Sequence, residues 1–331
     1  MARDTLARPL RDLRISVIDR CNFRCQYCMP RDVFGAGYTY LDRDEILSFE
    51  EIDKFVASVI PLGIEKIRLT GGEPLLRRDF AKLVKILSKH NVEIAVTTNG
   101  VLLEKQAKDL ADAGLERVTV SLDALDDETF QFITDTDTKV SDVLAGIDAA
   151  IEAGLTPVKI NTVIRKGINE HSILDIANHF RGTDVIVRFI EYMDVGSSND
   201  WKEEEVVTAA DILEILETEY QLQPLDITNK NQVAKSWITN YGNEIGLITS
   251  ITEPFCGDCT RLRISSEGKL FTCLFANDGF DLKSMLRSGA SEKKLRELVS
   301  LIWLNRSDRY SEIRGNEKRI VLPIEMSYIG G

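Results

Sequence analysis

Histidine is nearly missing: the chain of 331 residues has three, His90, His171 and His179, scattered far apart. That excludes a metal centre built mainly on imidazole. No run of eighteen apolar residues occurs, so no helix is expected to span a membrane. Positive charge is also short. Lys and Arg number 41 against 53 Asp and Glu, a net charge of −12, which excludes a surface built to coat nucleic acid or an anionic bilayer. An anionic ligand must therefore meet a local cluster of cations. The first residues, Met1 to Leu6, lack the apolar stretch of a secretory leader, and a cytoplasmic protein is expected. With 44% hydrophobic residues the chain can bury a sizeable core. Its six cysteines are not needed as disulfide staples in a chain this long, and they fall three and three, which argues for two metal sites in a reducing compartment.

The first three lie in Cys21-Asn-Phe-Arg-Cys25-Gln-Tyr27-Cys28. Thiolates at such tight spacing hold iron–sulfur clusters. A cubane takes four thiolates and this stretch offers three, so one iron of a [4Fe–4S] cluster would stay open for a small molecule. The alternative is a zinc knuckle, which needs a fourth N or S ligand that no nearby histidine supplies. Cys-x3-Cys-x2-Cys with an aromatic before the last cysteine resembles the signature of the radical S-adenosylmethionine (radical SAM) enzymes. The resemblance implies that Cys21, Cys25 and Cys28 hold a cluster whose open iron chelates SAM, with Tyr27 beside the adenine. The reduced cluster would then cleave SAM to a 5′-deoxyadenosyl radical.

The rest of the first two hundred residues alternates strand and helix. β-rich runs at 13–18, 66–70, 93–97, 117–121, 158–163 and 185–190 are separated by helical patterns, the first opened by Ser48 with Glu51 at the capping-box position. Gly63, Gly114 and Gly154 sit where left-handed helix caps are expected. Six βα units predict an α/β fold: an incomplete (βα)6 TIM-like barrel, parallel by the right-handed crossover rule, with its chemistry at the C-terminal strand ends. Beyond residue 200 the pattern changes to short antiparallel strands, near 232–238 and 244–250, and more helices. The expected organisation is a partial barrel over 1–200 and a smaller C-terminal region over 201–331, carrying the second cysteines and a Gly330-Gly331 tail.

Gly71-Gly72-Glu73-Pro74 follows a strand directly. It is either a plain turn or a place where a ligand meets backbone and a carboxylate. The resemblance implies the latter: Gly72 and Glu73 at SAM's methionine end. Thr97, Ser121, Asn161 and Met193 stand at successive strand ends, at the barrel's mouth. The second group, Cys256-x2-Cys259 and Cys273, again offers three thiols, so a zinc with water or a second open [4Fe–4S] cluster are the two readings. Arg261 and Arg263 alternate and would share a strand face. Cys256-x2-Cys259-Thr-Arg261-x-Arg263, Cys273 and the Gly-Gly terminus together resemble the GTP 3′,8-cyclase family of radical SAM enzymes. The resemblance spans nearly the whole chain.

Membership implies conversion of GTP to (8S)-3′,8-cyclo-7,8-dihydroguanosine 5′-triphosphate, the first step of molybdenum cofactor biosynthesis, a lyase reaction. It implies two [4Fe–4S] clusters, the second open to guanine. The implied GTP contacts are Arg14, Arg68, Thr97, Lys159, Arg261 and Arg263, with Lys66 and Arg188 added. Arg14, Arg261 and Arg263 are the implied catalytic residues, and Tyr27, Gly72, Glu73, Ser121, Asn161 and Met193 the implied SAM contacts. The tail would reach the active site. The partners implied are an electron donor such as flavodoxin or ferredoxin, cyclic pyranopterin monophosphate synthase downstream, and a second copy in a homodimer, with no nucleic acid and no membrane. The acidic run at Asp135-Thr-Asp137 departs from the basic residue of many relatives and leaves open whether that loop touches substrate. A peptide-modifying radical SAM enzyme and a non-catalytic cluster protein are the rival readings.

Overall fold

The computed structural model describes residues 2–225, 234–314 and 323–330. Among them twelve strands form one sheet. They are β1 (Asp12–Ser16), β2 (Lys66–Thr70), β3 (Glu93–Thr98), β4 (Arg117–Ser121), β5 (Lys159–Ile164), β6 (Ile186–Glu191), β7 (Leu222–Pro224), β8 (Lys235–Thr239), β9 (Glu244–Ile248), β10 (Arg261–Ile264), β11 (Lys269–Phe271) and β12 (Phe280–Asp281). The α-helices are α1 (Arg31–Phe34), α2 (Phe49–Val59), α3 (Phe80–Leu87), α4 (Leu103–Ala113), α5 (Asp127–Thr134), α6 (Val140–Glu152), α7 (Ser172–His179), α8 (Ala209–Glu217), α9 (Lys283–Arg287), α10 (Glu292–Leu304), α11 (Tyr310–Ile313) and α12 (Met326–Ile329).

The strand order is β12-β11-β10-β1-β2-β3-β4-β5-β6-β9-β8-β7. The six strands from β1 to β6 are parallel neighbours in chain order, joined by helices, and the sheet does not close: this is the incomplete barrel expected from the βα alternation. The later strands do more than form a separate antiparallel patch. β8 pairs antiparallel with β9 as the sequence suggests, but β9 also pairs parallel with β6, and β10 pairs parallel with β1. Both open edges are thereby extended by strands from beyond residue 200. Residues 232–233 of the expected strand and Gly331 lie outside the described residues.

The period of two along each strand sorts chemistry by face. Leu13 and Ile15, Ile67 and Leu69, Val118 and Val120, Val187 and Phe189, and Leu262 and Ile264 are all fully or almost fully buried. They join one core with the inward stripes of the helices, including Phe55 and Val56 of α2, Leu83 and Val84 of α3, Val143 and Ile147 of α6, and Val299 and Trp303 of α10. The alternate positions, which face the barrel's interior, are polar: Arg14, Arg68, Thr119, Asn161, Arg188 and Arg263 among them. The apolar core is therefore a shell around the sheet, and the interior is left to charged groups. Local rules hold well: Ser48 and Glu51 exchange hydrogen bonds at the start of α2 as a capping box.

Glu191 ties the shell to the later strands. It is buried at the end of β6 and accepts from the backbone of Ala209, Ile251 and Thr252 and from the Thr252 hydroxyl, at 2.6–2.9 Å. Replacing it strands three backbone N–H donors. Glu191→Ala should destabilise the fold by about 3 kcal/mol in anaerobic urea unfolding; a loss of only a few tenths would show that the loops rearrange around the gap.

Candidate active site

The loop after β1 carries the first three cysteines and is zipped to the turn after β2. Gly72 N–H donates to Ile18 O and Glu73 N–H to Arg20 O, both at 2.8 Å. A Cβ on Gly71 would strike the backbone of Ile18, and one on Gly72 the backbone of Arg20 and Cys21; Gly71 also has φ +144°. The glycine pair is thus demanded first by the cysteine loop itself, whatever ligand also approaches. On the other flank Arg24 N–H and Gln26 N–H donate to Thr134 O and Ile133 O at the end of α5. Asp135 is occupied there by Arg31, with Nε donating to its carboxylate at 2.5 Å.

Burial raises the Cys21 thiol to about 12, and it raises Cys25 and Cys28 as well, helped by the charges of their neighbouring cysteines. Three thiols that cannot ionise side by side become good ligands once a polynuclear cation compensates their charge. Among the described residues no three His, Cys, Asp or Glu side chains converge as ligands of a single ion. The three thiols are the donor set that a cubane with one open iron requires. Tyr27 is pinned, its hydroxyl donating to Asp123 at 2.6 Å. Burial lifts the Asp123 carboxyl to about 6. Glu73 is likewise raised to about 7 by burial, although it accepts from Leu75 N, Asn99 N and the Thr98 hydroxyl.

Cys256 and Cys259 lie in the turn before β10, and Cys273 follows β11. Cys273 is raised to about 11, by burial first. Cys259 differs: burial pushes it up, but Arg261 and Arg306 together draw it down to about 6. Both cysteine trios line one cavity of about 330 Å³. Gly72, Glu73, Tyr27, Ser121, Asn161 and Met193 line it, as do Arg14, Arg68, Thr97, Arg188, Arg261 and Arg263. Lys66 and Lys159 do not. They stand at the first residues of β2 and β5 and line a second cavity of about 310 Å³, with Glu93 and Arg117. Arg14, Arg68, Arg188 and Arg261 line both, so the two cavities meet at a layer of arginines.

Strand register builds that layer: Arg14 stands opposite Arg263 on one side and Arg68 on the other. Burial, then the neighbouring Arg263, Arg261 and Arg68, hold Arg14 well below its ordinary value. Arg263 is depressed by burial and Arg261, and Arg188 by burial and Arg68. Some groups have partners: Arg68 donates to the Thr97 and Thr119 hydroxyls, and Lys66 pairs with Glu93 at 2.6 Å. Arg188 Nε and Asn161 Oδ1 are buried without any hydrogen-bond partner. Crowded buried cations and orphaned polar atoms are the complement of a polyanion with polar edges.

The C-terminal residues cross this space. Glu325 accepts from Ser197 N–H and the Ser197 and Ser198 hydroxyls, the Tyr328 hydroxyl donates to Glu267, and Arg263 donates to the Gly330 carbonyl. Gly330, at φ +74°, sits so close to Thr70 that no side chain fits. Sequence reasoning missed Asp123, Arg117 and Arg306. None of them stands in a recognisable motif, and only the tertiary fold reveals its partner.

Comparison with known proteins agrees. The Radical SAM superfamily model matches residues 15–180, and the Molybdenum Cofactor Synthesis C model matches 185–312. The chain is 49% identical to the GTP 3′,8-cyclase of Acidothermus cellulolyticus, covering 99% of both chains. It is 45% identical to that of Staphylococcus haemolyticus, over 99% of this chain and 98% of the relative. The chain belongs to the GTP 3′,8-cyclase family of radical SAM enzymes. Among solved structures, Streptococcus suis SuiB bound to S-adenosylmethionine matches with TM-score 0.64 at 16% identity, covering 97% of this chain and 76% of that one, a likeness of fold alone. For a radical SAM GTP 3′,8-cyclase, SAM and a [4Fe–4S] cluster on the radical SAM segment are implied by the family. No helix among the described residues is long and apolar enough to cross a membrane.

Lys159 gives the cationic interior a pH signature. Burial, then Arg188, Arg117 and Lys66, lower it to about 8 from 10.5. The ligand-free fold therefore favours the neutral amine, and a destabilising contribution is full below pH 8 and fades as pH rises toward 10.5. Lys159→Met should raise the thermal midpoint at pH 7, with the gap to the parent closing above pH 8. Inorganic triphosphate, followed by calorimetry, should bind the parent more weakly as pH rises through about 8, and the variant should lack that fall. A parent affinity flat from pH 7 to 9 would place the anion elsewhere.

Proposed function

We propose that this chain converts GTP to (8S)-3′,8-cyclo-7,8-dihydroguanosine 5′-triphosphate, using SAM and two [4Fe–4S] clusters. The observation that carries the reading is the second cysteine trio: it lines the same cavity as the first, together with the arginines of the layer. Cys21, Cys25 and Cys28 would hold the first cluster, and Cys256, Cys259 and Cys273 the second. When bound and reduced, the first cluster supplies the electron that breaks SAM's carbon–sulfur bond; that chemistry belongs to the cofactors.

The chain's own residues bind, orient and exclude water. Gly72, Glu73, Ser121, Asn161 and Met193, with Tyr27 held by Asp123, would cradle SAM. The triphosphate would lie where the two cavities meet, with Arg14, Arg68, Arg188, Arg261 and Arg263 around it and Lys66 and Lys159 at its far end. Its roughly four negative charges offset the repulsion among those cations. Guanine would face the second trio. Fixing C3′ of the ribose near the 5′ carbon of SAM, and C8 near C3′, is the protein's share of the rate. In the net change one hydrogen atom leaves C3′ for the 5′-deoxyadenosyl carbon, the C3′–C8 bond forms, and one further electron and one proton complete the dihydro product. The tail, held at Glu325 and Tyr328, would close the cavity over the substrate. Residues 1–200 and 201–331 would serve as the SAM and substrate portions. A flavodoxin or ferredoxin as donor, a homodimer, a cytoplasmic location and a downstream cyclic pyranopterin monophosphate synthase belong to the same reading.

The test uses reduced, reconstituted protein with SAM and GTP deuterated at C3′. Mass spectrometry should find deuterium in 5′-deoxyadenosine and the cyclised triphosphate as co-product. Unlabelled 5′-deoxyadenosine in the presence of GTP would refute the assignment of the substrate.

A further inference from the structure

The second cysteine pair is gripped by two arginines from distant parts of the chain that share one carboxylate. Asp4 is fully buried. It pairs with Arg8 Nε at 2.5 Å and with Arg306 Nη1 at 3.4 Å, and both guanidiniums are themselves buried. Arg8 Nη1 donates to the carbonyl of Cys256 at 2.8 Å, and Arg306 Nη1 to the carbonyl of Cys259 at 2.7 Å. The arrangement is nearly symmetric until the last contact. Of the two, Arg306 reaches sulfur: its Nη2 donates to Cys259 Sγ at 3.1 Å, beside Arg261, whose side chain also bonds that cysteine. Its plane is fixed by the Trp303 ring, 4.6 Å away, and Trp303 is fixed in turn by donating to the Arg8 carbonyl.

A stability role alone would need the carbonyl and carboxylate contacts but not a donor aimed at a thiolate. The positive charge and N–H bond at a ligating sulfur stabilise the electron-rich state of a cluster over its oxidised state, because reduction places more negative charge on sulfur. We propose that Arg306 is a positioning residue that sets the reduction potential of the second cluster through Cys259. Arg8, which makes the matching backbone contact without touching sulfur, holds the loop and leaves the potential alone. The assignment rests on the reading of Cys256, Cys259 and Cys273 as cluster ligands.

The experiment is an EPR-monitored redox titration of the anaerobic holoprotein, with iron counted per chain, for the parent, Arg306→Gln and Arg306→Lys. Removing the donor should make reduction of the second cluster about tenfold less favourable, a fall of roughly 59 mV for one electron. Lysine, which keeps the charge but not the planar fork, should give a smaller fall, and the first cluster's potential should not move in either variant. A second-cluster potential equal to the parent's, with about eight irons retained, overturns the role of Arg306 while leaving the two-cluster reading intact. About four irons in the parent itself removes the second cluster, and this assignment with it. If Arg306→Gln alone loses the second cluster, Arg306→Lys decides by its shift; loss in both variants makes Arg306 a structural post and overturns the tuning role.

Discussion

Like charges packed inside an apolar shell are the constraint on which this molecule depends. The parallel sheet turns its aliphatic residues outward to the helices and its arginines inward, so Arg14, Arg68 and Arg263 stand side by side in register. Such crowding is unfavourable in isolation, and the depressed values of Arg14, Arg188, Arg263 and Lys159 express it. The shell of buried Leu, Ile, Val and Phe outweighs that cost. In the proposed reading a polyanion would relieve that repulsion when it fills the interior.

Everything else is arranged at the edges of that interior. The first cysteine loop is held by the glycine turn on one flank and α5 on the other. The second is held by Asp4, Arg8 and Arg306, which join the N-terminal arm and the end of α10 to one turn. The C-terminal residues are fastened at Ser197, Ser198 and Glu267 and reach Arg263. Three separate stretches of chain thus converge on one cavity, and each is anchored by hydrogen bonds to buried or half-buried groups.

Much of this was legible in the sequence. Alternating βα periodicity placed β1 to β6 to within two residues and the start of α2 at Ser48, because each element is decided by its own pattern and caps. The residues singled out by the cysteine spacings and the Arg261–Arg263 alternation line one cavity. What was not legible depends on distant pairing. The parallel seats of β9 beside β6 and β10 beside β1 leave no mark on local alternation, so the sequence showed only short antiparallel strands in a smaller C-terminal region. Asp123, Glu191 and Arg306 look like any strand-end or helix-end polar residue until the fold supplies Tyr27, the Thr252 loop and Cys259. Lys66 and Lys159 were read as substrate contacts, and the sequence alone did not show that they line a second cavity. They stand at the opposite strand ends, because a strand of five or six residues separates its first and last side chains by more than 13 Å or so.

The central claim is that two incomplete thiolate sets face one cavity and receive different small molecules. EPR of the reduced holoprotein tests it directly, with SAM and GTP added singly to the parent and to a variant with Cys256, Cys259 and Cys273 all replaced by alanine. The account predicts that each ligand perturbs its own signal in the parent, and that the variant keeps the SAM response while losing the GTP response. A GTP response that survives the loss of those three cysteines would contradict it.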